Sequence, residues 1–176
     1  MIDLALSPDF PRSCRAAAMV DGLGIFRIRH LPSGPSLRRS GPEALAGLPD
    51  CLGVQDRGGA WLASVAPSDW LLLGPASSAR SCLDRLGSGL DPALACVFDI
   101  SASRIVLELD PEREERVLSA YTSLPREQAL SAWRCAPTRF GDCLVTFIRR
   151  QAGSGILMVL DPSLASYVAS LLKRMD

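Results

Sequence analysis

Residues 69–86, DWLLLGPASSARSCLDRL, and residues 155–172, GILMVLDPSLASYVASLL, follow one order. Each runs as an apolar strand, a turn carrying proline, a serine, then an amphipathic helix. A strand this apolar must bury both faces or pair inside a sheet, and the helix needs that sheet to cover its stripe. A chain containing the unit twice is therefore held to a duplicated architecture.

The surrounding elements repeat as well. GIFRIRHL (24–31) alternates as a half-buried strand, and a Gly/Pro/Ser-rich loop leads to a short helix over PEALAGL (42–48), with Pro42 at its first position. AWLASV (60–65) and DWLLLG (69–74) flank Ala66-Pro67-Ser68 as a hairpin. The helix over 77–87 places Ala79, Cys82, Leu83 and Leu86 on one face. In the second half CVFDI (96–100) reads as a buried strand, and SRIVLELD (103–110) puts Ile105, Leu107 and Leu109 on one side. Asp110-Pro111-Glu112 opens a helix whose inward face is Val117, Leu118 and Tyr121. A looser stretch, helical around 126–133, precedes a hairpin of DCLVTFIRR (142–150) and GILMVL (155–160). The closing helix carries Leu164, Tyr167, Val168, Leu171, Leu172 and Met175 on one stripe.

The order predicts an α+β fold of two β-α-β-β-α, ferredoxin-like halves, with antiparallel sheets and helices packed on one face. Residues 1–23 have no firm period and read as an irregular lead-in. Residues 24–176 read as one duplicated domain, with halves at about 24–90 and 95–176.

Nearly half of the 176 residues are apolar, and acids and bases balance at 19 each. That balance argues against nucleic acid as a partner, because phosphate neutralisation needs a local surplus of cations. Lys173 is the only lysine; the arginine bias fits either forked interface contacts or genome composition. The start lacks the apolar core of a secretory signal, and no apolar run approaches the roughly 20 residues of a membrane span. A cytoplasmic protein without a membrane partner is expected. The six cysteines form no C-x-x-C pair and His30 is the only histidine, so no metal site is expected. Cys82, Cys96 and Cys143 lie in apolar segments and read as buried free thiols.

Chemistry is sparse. His30, at a strand end, reads as a surface residue, and any nucleophile–base pair would need it. The glycine turns lack a G-x-G-x-x-G frame or a following lysine, so no catalytic residue is predicted. Asp99, amid apolar neighbours, either joins Ser101 in tying down a turn or stands in a cleft. Trp61 and Trp70 are core anchors or interface anchors. Thr138-Arg139, read as a loop, binds a partner or an anion, or is held by local hydrogen bonds.

AWLASVAPSDWLLLGP (60–75), VFDISASRIVLELDPEREERVLSAY (97–121) and PTRFGDCLVTFIRRQAGSGILMVLDPSLASYVASLLKRM (137–175) together resemble the gamma subunits of heterotetrameric sarcosine oxidases. These belong with the folate-binding aminomethyltransferase-like proteins. The chain departs from the family at Asp110, where glycine is usual, over TSLPRE (122–127), and at Pro137, where arginine is usual. The resemblance implies a fold similar to the folate-binding domain of aminomethyltransferases, and a subunit without a catalytic group or cofactor of its own. It implies larger alpha and beta subunits and a small delta subunit as partners, with FAD, FMN, NAD and tetrahydrofolate held by them. The complex would oxidatively demethylate sarcosine or a related N-methyl amino acid and pass the one-carbon unit to tetrahydrofolate. The alternative is a free-standing folate-binding or aminomethyltransferase-like protein using the same fold.

Overall fold

The computed structural model describes residues 13–30, 48–87, 90, 93–124 and 131–175. In chain order its elements are β1 (Ser13–Cys14), β2 (Ala17–Met19), β3 (Leu23–His30), β4 (Val54–Asp56), β5 (Trp61–Ala66), β6 (Asp69–Pro75), α1 (Ala76–Gly87) and β7 (Ala95–Asp99). After a 3-10 turn, Ser101–Ser103, come β8 (Ile105–Leu109), α2 (Glu114–Tyr121), β9 (Arg134–Phe140), β10 (Cys143–Arg149) and β11 (Leu157–Leu160). A second such turn, Pro162–Leu164, leads into α3 (Ala165–Lys173). The chain divides into two compact units: residues 22–101, and residues 13–21 with 102–175. Each contains one antiparallel sheet, as the element order predicts.

In the first unit the strand order is β4-β5-β6-β3-β7. Register fixes which side chains share a face: Phe26 is opposite Asp99, Ile28 opposite both Trp70 and Val97, and Leu62 opposite Leu72. Phe26, Ile28, Leu62, Trp70 and Leu72 form one core with Ala79, Cys82 and Leu83 of α1, and Leu86 packs at its margin. This is the helix face expected from the i, i+3, i+4, i+7 spacing. Each large side chain so buried contributes about 1.5–3 kcal/mol. The same parity corrects the reading of His30. It shares the face of Phe26 and Ile28 and is buried, so it is not a surface residue.

The β5–β6 hairpin turns over Pro67 and Ser68, with Ala66 opposite Asp69 and an irregularity at Ser64/Ala66. Ser68 takes the left-handed conformation (φ 61°), and its carbonyl accepts from the His30 N–H at 2.9 Å. Gly74 sits where Ala60 crosses β6: a Cβ there would lie 2.8 Å from the Ala60 Cα and 2.9 Å from the Gly59 carbonyl oxygen. Only glycine lets the two backbones approach so closely.

In the second unit the strand order is β1-β2-β8-β11-β10-β9. Ile105, Leu107, Leu109, Phe147, Met158 and Leu160 face Val117, Leu118, Val168, Leu171 and Leu172 of α2 and α3. Phe140 anchors the far side, 5.0 Å from the Tyr121 ring and 6.2 Å from that of Phe147. The Tyr121 hydroxyl donates to the Leu171 carbonyl at 3.0 Å and ties α2 to the end of α3.

Several expectations are corrected. Residues 13–19, read as irregular, supply β1 and β2, and β2 pairs with β8 (Ala17 opposite Leu109). β7, read as opening the second half, instead pairs with β3 in the first unit. It is an edge strand, which is why it is exposed rather than buried and why Cys96 is exposed with it. Residues 134–140 form β9 and not a loop. Pro137 is tolerated because β9 pairs only with β10 at the sheet edge, and Gly141 (φ 56°) makes the tight return. The regular part of α2 begins at Glu114, a turn later than Pro111. Asp110 nonetheless opens it: its carboxylate accepts from the Glu112 N–H at 2.8 Å and its carbonyl from the Glu114 N–H at 2.8 Å. The helix expected over 42–48 lies outside the described residues except at Leu48, and that expected over 126–133 does so over 126–130; residues 131–133 are bend and turn and not helix, and Trp133 (φ 62°) leads directly into β9.

The two repeated segments close by different means. Asp161 caps the second one, its Oδ1 accepting from the Ser163 N–H at 2.9 Å and the Ser163 hydroxyl at 2.7 Å, with Pro162 following. The first has no such cap, and α1 follows β6 directly.

Candidate functional site

The exposed end of β7 brings together two of the candidate polar groups, Asp99 and Ser101. Asp99 Oδ1 accepts from the Ser101 hydroxyl at 2.7 Å and from the Ser101 N–H at 3.1 Å. The Ser101 hydroxyl oxygen in turn accepts from the Ile25 N–H at 2.9 Å. Asp99 Oδ2 lies 3.5 Å from an Arg80 guanidinium nitrogen, and that guanidinium sits 4.7 Å from the centre of the Phe26 ring. The Ser101 hydroxyl and then its N–H hold the Asp99 carboxyl below its ordinary range, with Arg80 adding to this against a small burial penalty. A carboxylate held ionised on an exposed strand ties down the turn from β7 to the next strand. It is not poised to exchange a proton near neutral pH.

One strand inward, on the opposite face of the same sheet, lies a cluster that the sequence alone did not single out. The buried Asp69 carboxylate accepts from Arg27 at 2.9 and 2.6 Å and from Arg29 at 3.1 Å. Burial opposes its ionisation, but the hydrogen bonds and charges of Arg27, followed by those of Arg29, outweigh it and hold the carboxyl below its usual value. Phe98 is opposite Arg27 and Cys96 opposite Arg29 on this face. Two arginines share one carboxylate there, so the surface beside Phe98 carries a surplus positive charge.

The two tryptophans do not form one surface. Trp70 is part of the first unit's core, with its indole N–H buried and unbonded among the described residues, so the interface reading does not hold for it. Trp61 is half-buried and opposite Leu73, and therefore on the other face of the sheet. Thr138 and Arg139 are likewise separated by strand parity. Thr138 is half-buried opposite Val145, on the helix side. Arg139 is exposed, opposite Leu144, which is 69% exposed. The Arg139 guanidinium donates to the Asp142 carbonyl at 3.3 Å.

Among the described residues no three His, Cys, Asp or Glu side chains are placed to hold a metal ion, and no helix is long and apolar enough to cross a membrane. Among the charged pairs of the second unit are Arg149–Glu114 at 2.6 Å and Arg150–Glu108. Both join neighbouring elements, and such partly shielded pairs fix register more than they add stability.

No family model matches the chain, and no curated protein matches it in sequence. Solved structures do match. A chain of the heterotetrameric sarcosine oxidase from Corynebacterium sp. U-96, determined in complex with pyrrole 2-carboxylate, superposes with a TM-score of 0.70 at 22% identity. The match covers 90% of this chain and 82% of that one. The glycine cleavage system aminomethyltransferase T from Bartonella henselae superposes with a TM-score of 0.61 at 16% identity, over 89% of this chain but 45% of that protein. The likeness shows a shared fold, and against the aminomethyltransferase the chain spans less than half the length.

Proposed function

We propose that this chain is a non-catalytic, gamma-type subunit of a sarcosine-oxidase-type complex. The observation that carries this reading is the chain-for-chain correspondence with one component of a heterotetrameric enzyme, extending over most of both polypeptides. The state of the polar groups agrees with it. Asp99, Asp69 and Asp161 are each engaged by hydrogen bonds that hold turns or strands together.

In this reading the alpha, beta and delta subunits complete the assembly in the cytoplasm. They hold the FAD, FMN, NAD and tetrahydrofolate with which an N-methyl group is oxidised and its carbon passed on. This chain supplies surface and rigidity. Its interface buries more than the roughly 1,600 Å² of a standard complex.

The free-standing folate-binding reading is favoured less by the geometry. That reading needs a cleft deep enough for a pterin with Asp99 beside it, whereas Asp99 is exposed and shared between Ser101 and Arg80.

Affinity purification of the tagged chain from its native cells tests the proposal. Stoichiometric recovery of larger chains with a flavin absorbance spectrum and sarcosine oxidation is expected. Recovery as an unassociated monomer, turnover of sarcosine by this chain alone, or calorimetric heat from tetrahydrofolate binding to it would each overturn the reading.

A further inference from the structure

The sheet edges among the described residues differ in how they are protected. β1 has two residues, β4 has three and ends in Asp56, and β9 carries Pro137 between two arginines. Short, charged or proline-bearing edges resist pairing with another chain. β7 also ends in a carboxylate, Asp99, but has none of these devices over its central residues: Cys96, Val97 and Phe98 are apolar and exposed, Val97 at 42% and Phe98 at 50%.

The direction of its outward backbone groups follows from two bonds. The Ile100 N–H donates to the Ile25 carbonyl at 2.9 Å, while the His30 N–H donates to the Ser68 carbonyl on the β6 side. Antiparallel alternation then turns the N–H and C=O of Ile25, Arg27 and Arg29 toward β7, where they meet Phe98 and Cys96. The N–H and C=O of Val97 and Asp99 therefore point away from β3, along the edge where no described strand pairs.

We infer that β7 accepts an extended strand from a partner subunit, adding a sixth strand to the first unit's sheet through the outward backbone groups of Val97 and Asp99. This rests on the subunit reading above. The strand brings an apolar side chain against Phe98 and a carboxylate toward Arg29, where, among the described residues, two arginines share Asp69. A second copy of this chain fits less well. Antiparallel pairing of β7 with itself would set two such cationic faces side by side without adding a carboxylate. Strand addition of this kind draws affinity from the main chain and specificity from alternate side chains.

The test is hydrogen exchange on the isolated chain and on the purified native complex, together with the variants Val97→Pro and Phe98→Asp. The Val97 N–H makes no bond to β3, so proline there spares the ladder and the fold, monitored by far-UV circular dichroism. In the complex, exchange at Val97 and Asp99 should slow at least about tenfold. Val97→Pro should weaken recovery of the large chains about tenfold, as loss of an interfacial hydrogen bond and its strand geometry demands. Phe98→Asp, which leaves the backbone donors in place, should weaken it as well.

If the flavin-containing complex forms but these amides exchange as fast as in the free chain, and both variants assemble normally, the strand docking is refuted and the subunit reading stands. If no large chain is recovered, it is the subunit reading that fails. If the free chain protects these amides in a concentration-dependent way that Val97→Pro abolishes, the occupant is a second copy and the partner strand is refuted.

Discussion

Replacing Asp69 by asparagine keeps the shape of the side chain and removes its charge. In the structure that carboxylate, 12% exposed, receives three hydrogen bonds from Arg27 and Arg29, the former 33% exposed and the latter more so. Breaking a fully buried pair costs about 3–5 kcal/mol. Both arginines here can turn toward water, which lowers the expected loss to about 2 kcal/mol. With a urea dependence of about 2 kcal/mol per molar, the midpoint of unfolding should fall by about 1 M. The transition is followed by tryptophan fluorescence, since Trp61 and Trp70 lie in the same hairpin as Asp69.

The pH dependence has a definite sign. The folded carboxyl is held below its ordinary value, so the unfolded chain binds the proton more readily. The stabilisation is complete above the unfolded value of about 4 and disappears as pH falls through the lower, folded one. The gap between the native chain and the Asp69→Asn variant should therefore be constant from pH 5 to 7 and close in stronger acid. Arg27→Met in a double-mutant cycle should return a coupling of more than about 1 kcal/mol. A midpoint shift below about 0.2 M, or a gap that persists unchanged at pH 2, would refute the reasoning.

Three further outcomes follow from the same geometry. Gly74→Ala should destabilise by about 1–3 kcal/mol in chemical denaturation, because the new methyl meets the Ala60 backbone at 2.8 Å. Ser101→Ala should cost about 1–2 kcal/mol and speed hydrogen exchange at Ile25, whose N–H loses its 2.9 Å acceptor. In thiol labelling of the folded chain, the exposed Cys51 and Cys96 should react first. Cys82 and Cys143, whose thiols burial pushes above the ordinary value, should react only on unfolding.

What the sequence made legible was whatever local chemistry decides. Pro67-Ser68 and Gln151–Ser154 punctuate strands of strong β propensity, and the spacing of Ala79, Cys82, Leu83 and Leu86 admits one helical face, so both hairpins and α1 lie where they are expected. β9 was hidden because Pro137 argues against a strand unless that strand is known to lie at an edge, and edge position depends on pairing. β7 misled for the converse reason: Cys-Val-Phe reads as buried, and only its place beyond β3 exposes it. The Asp99–Ser101 turn, two residues apart, was visible as an alternative. The Arg27–Asp69 bond spans 42 positions and needs the β3–β6 register before the three charges can be seen to share a face.

The assignment of β2 has a consequence for how the polypeptide matures on the ribosome. Residues 22–101 emerge as one uninterrupted stretch and can complete their sheet before synthesis ends. Ala17–Met19, made earlier, must wait until Leu107–Leu109 appear, and the sheet they join stays open until Leu157–Leu160 arrive. Ala17–Met19 thus leave the exit tunnel well before the strand they pair with, so deleting either Ala17–Met19 or Leu157–Leu160 should injure the same unit.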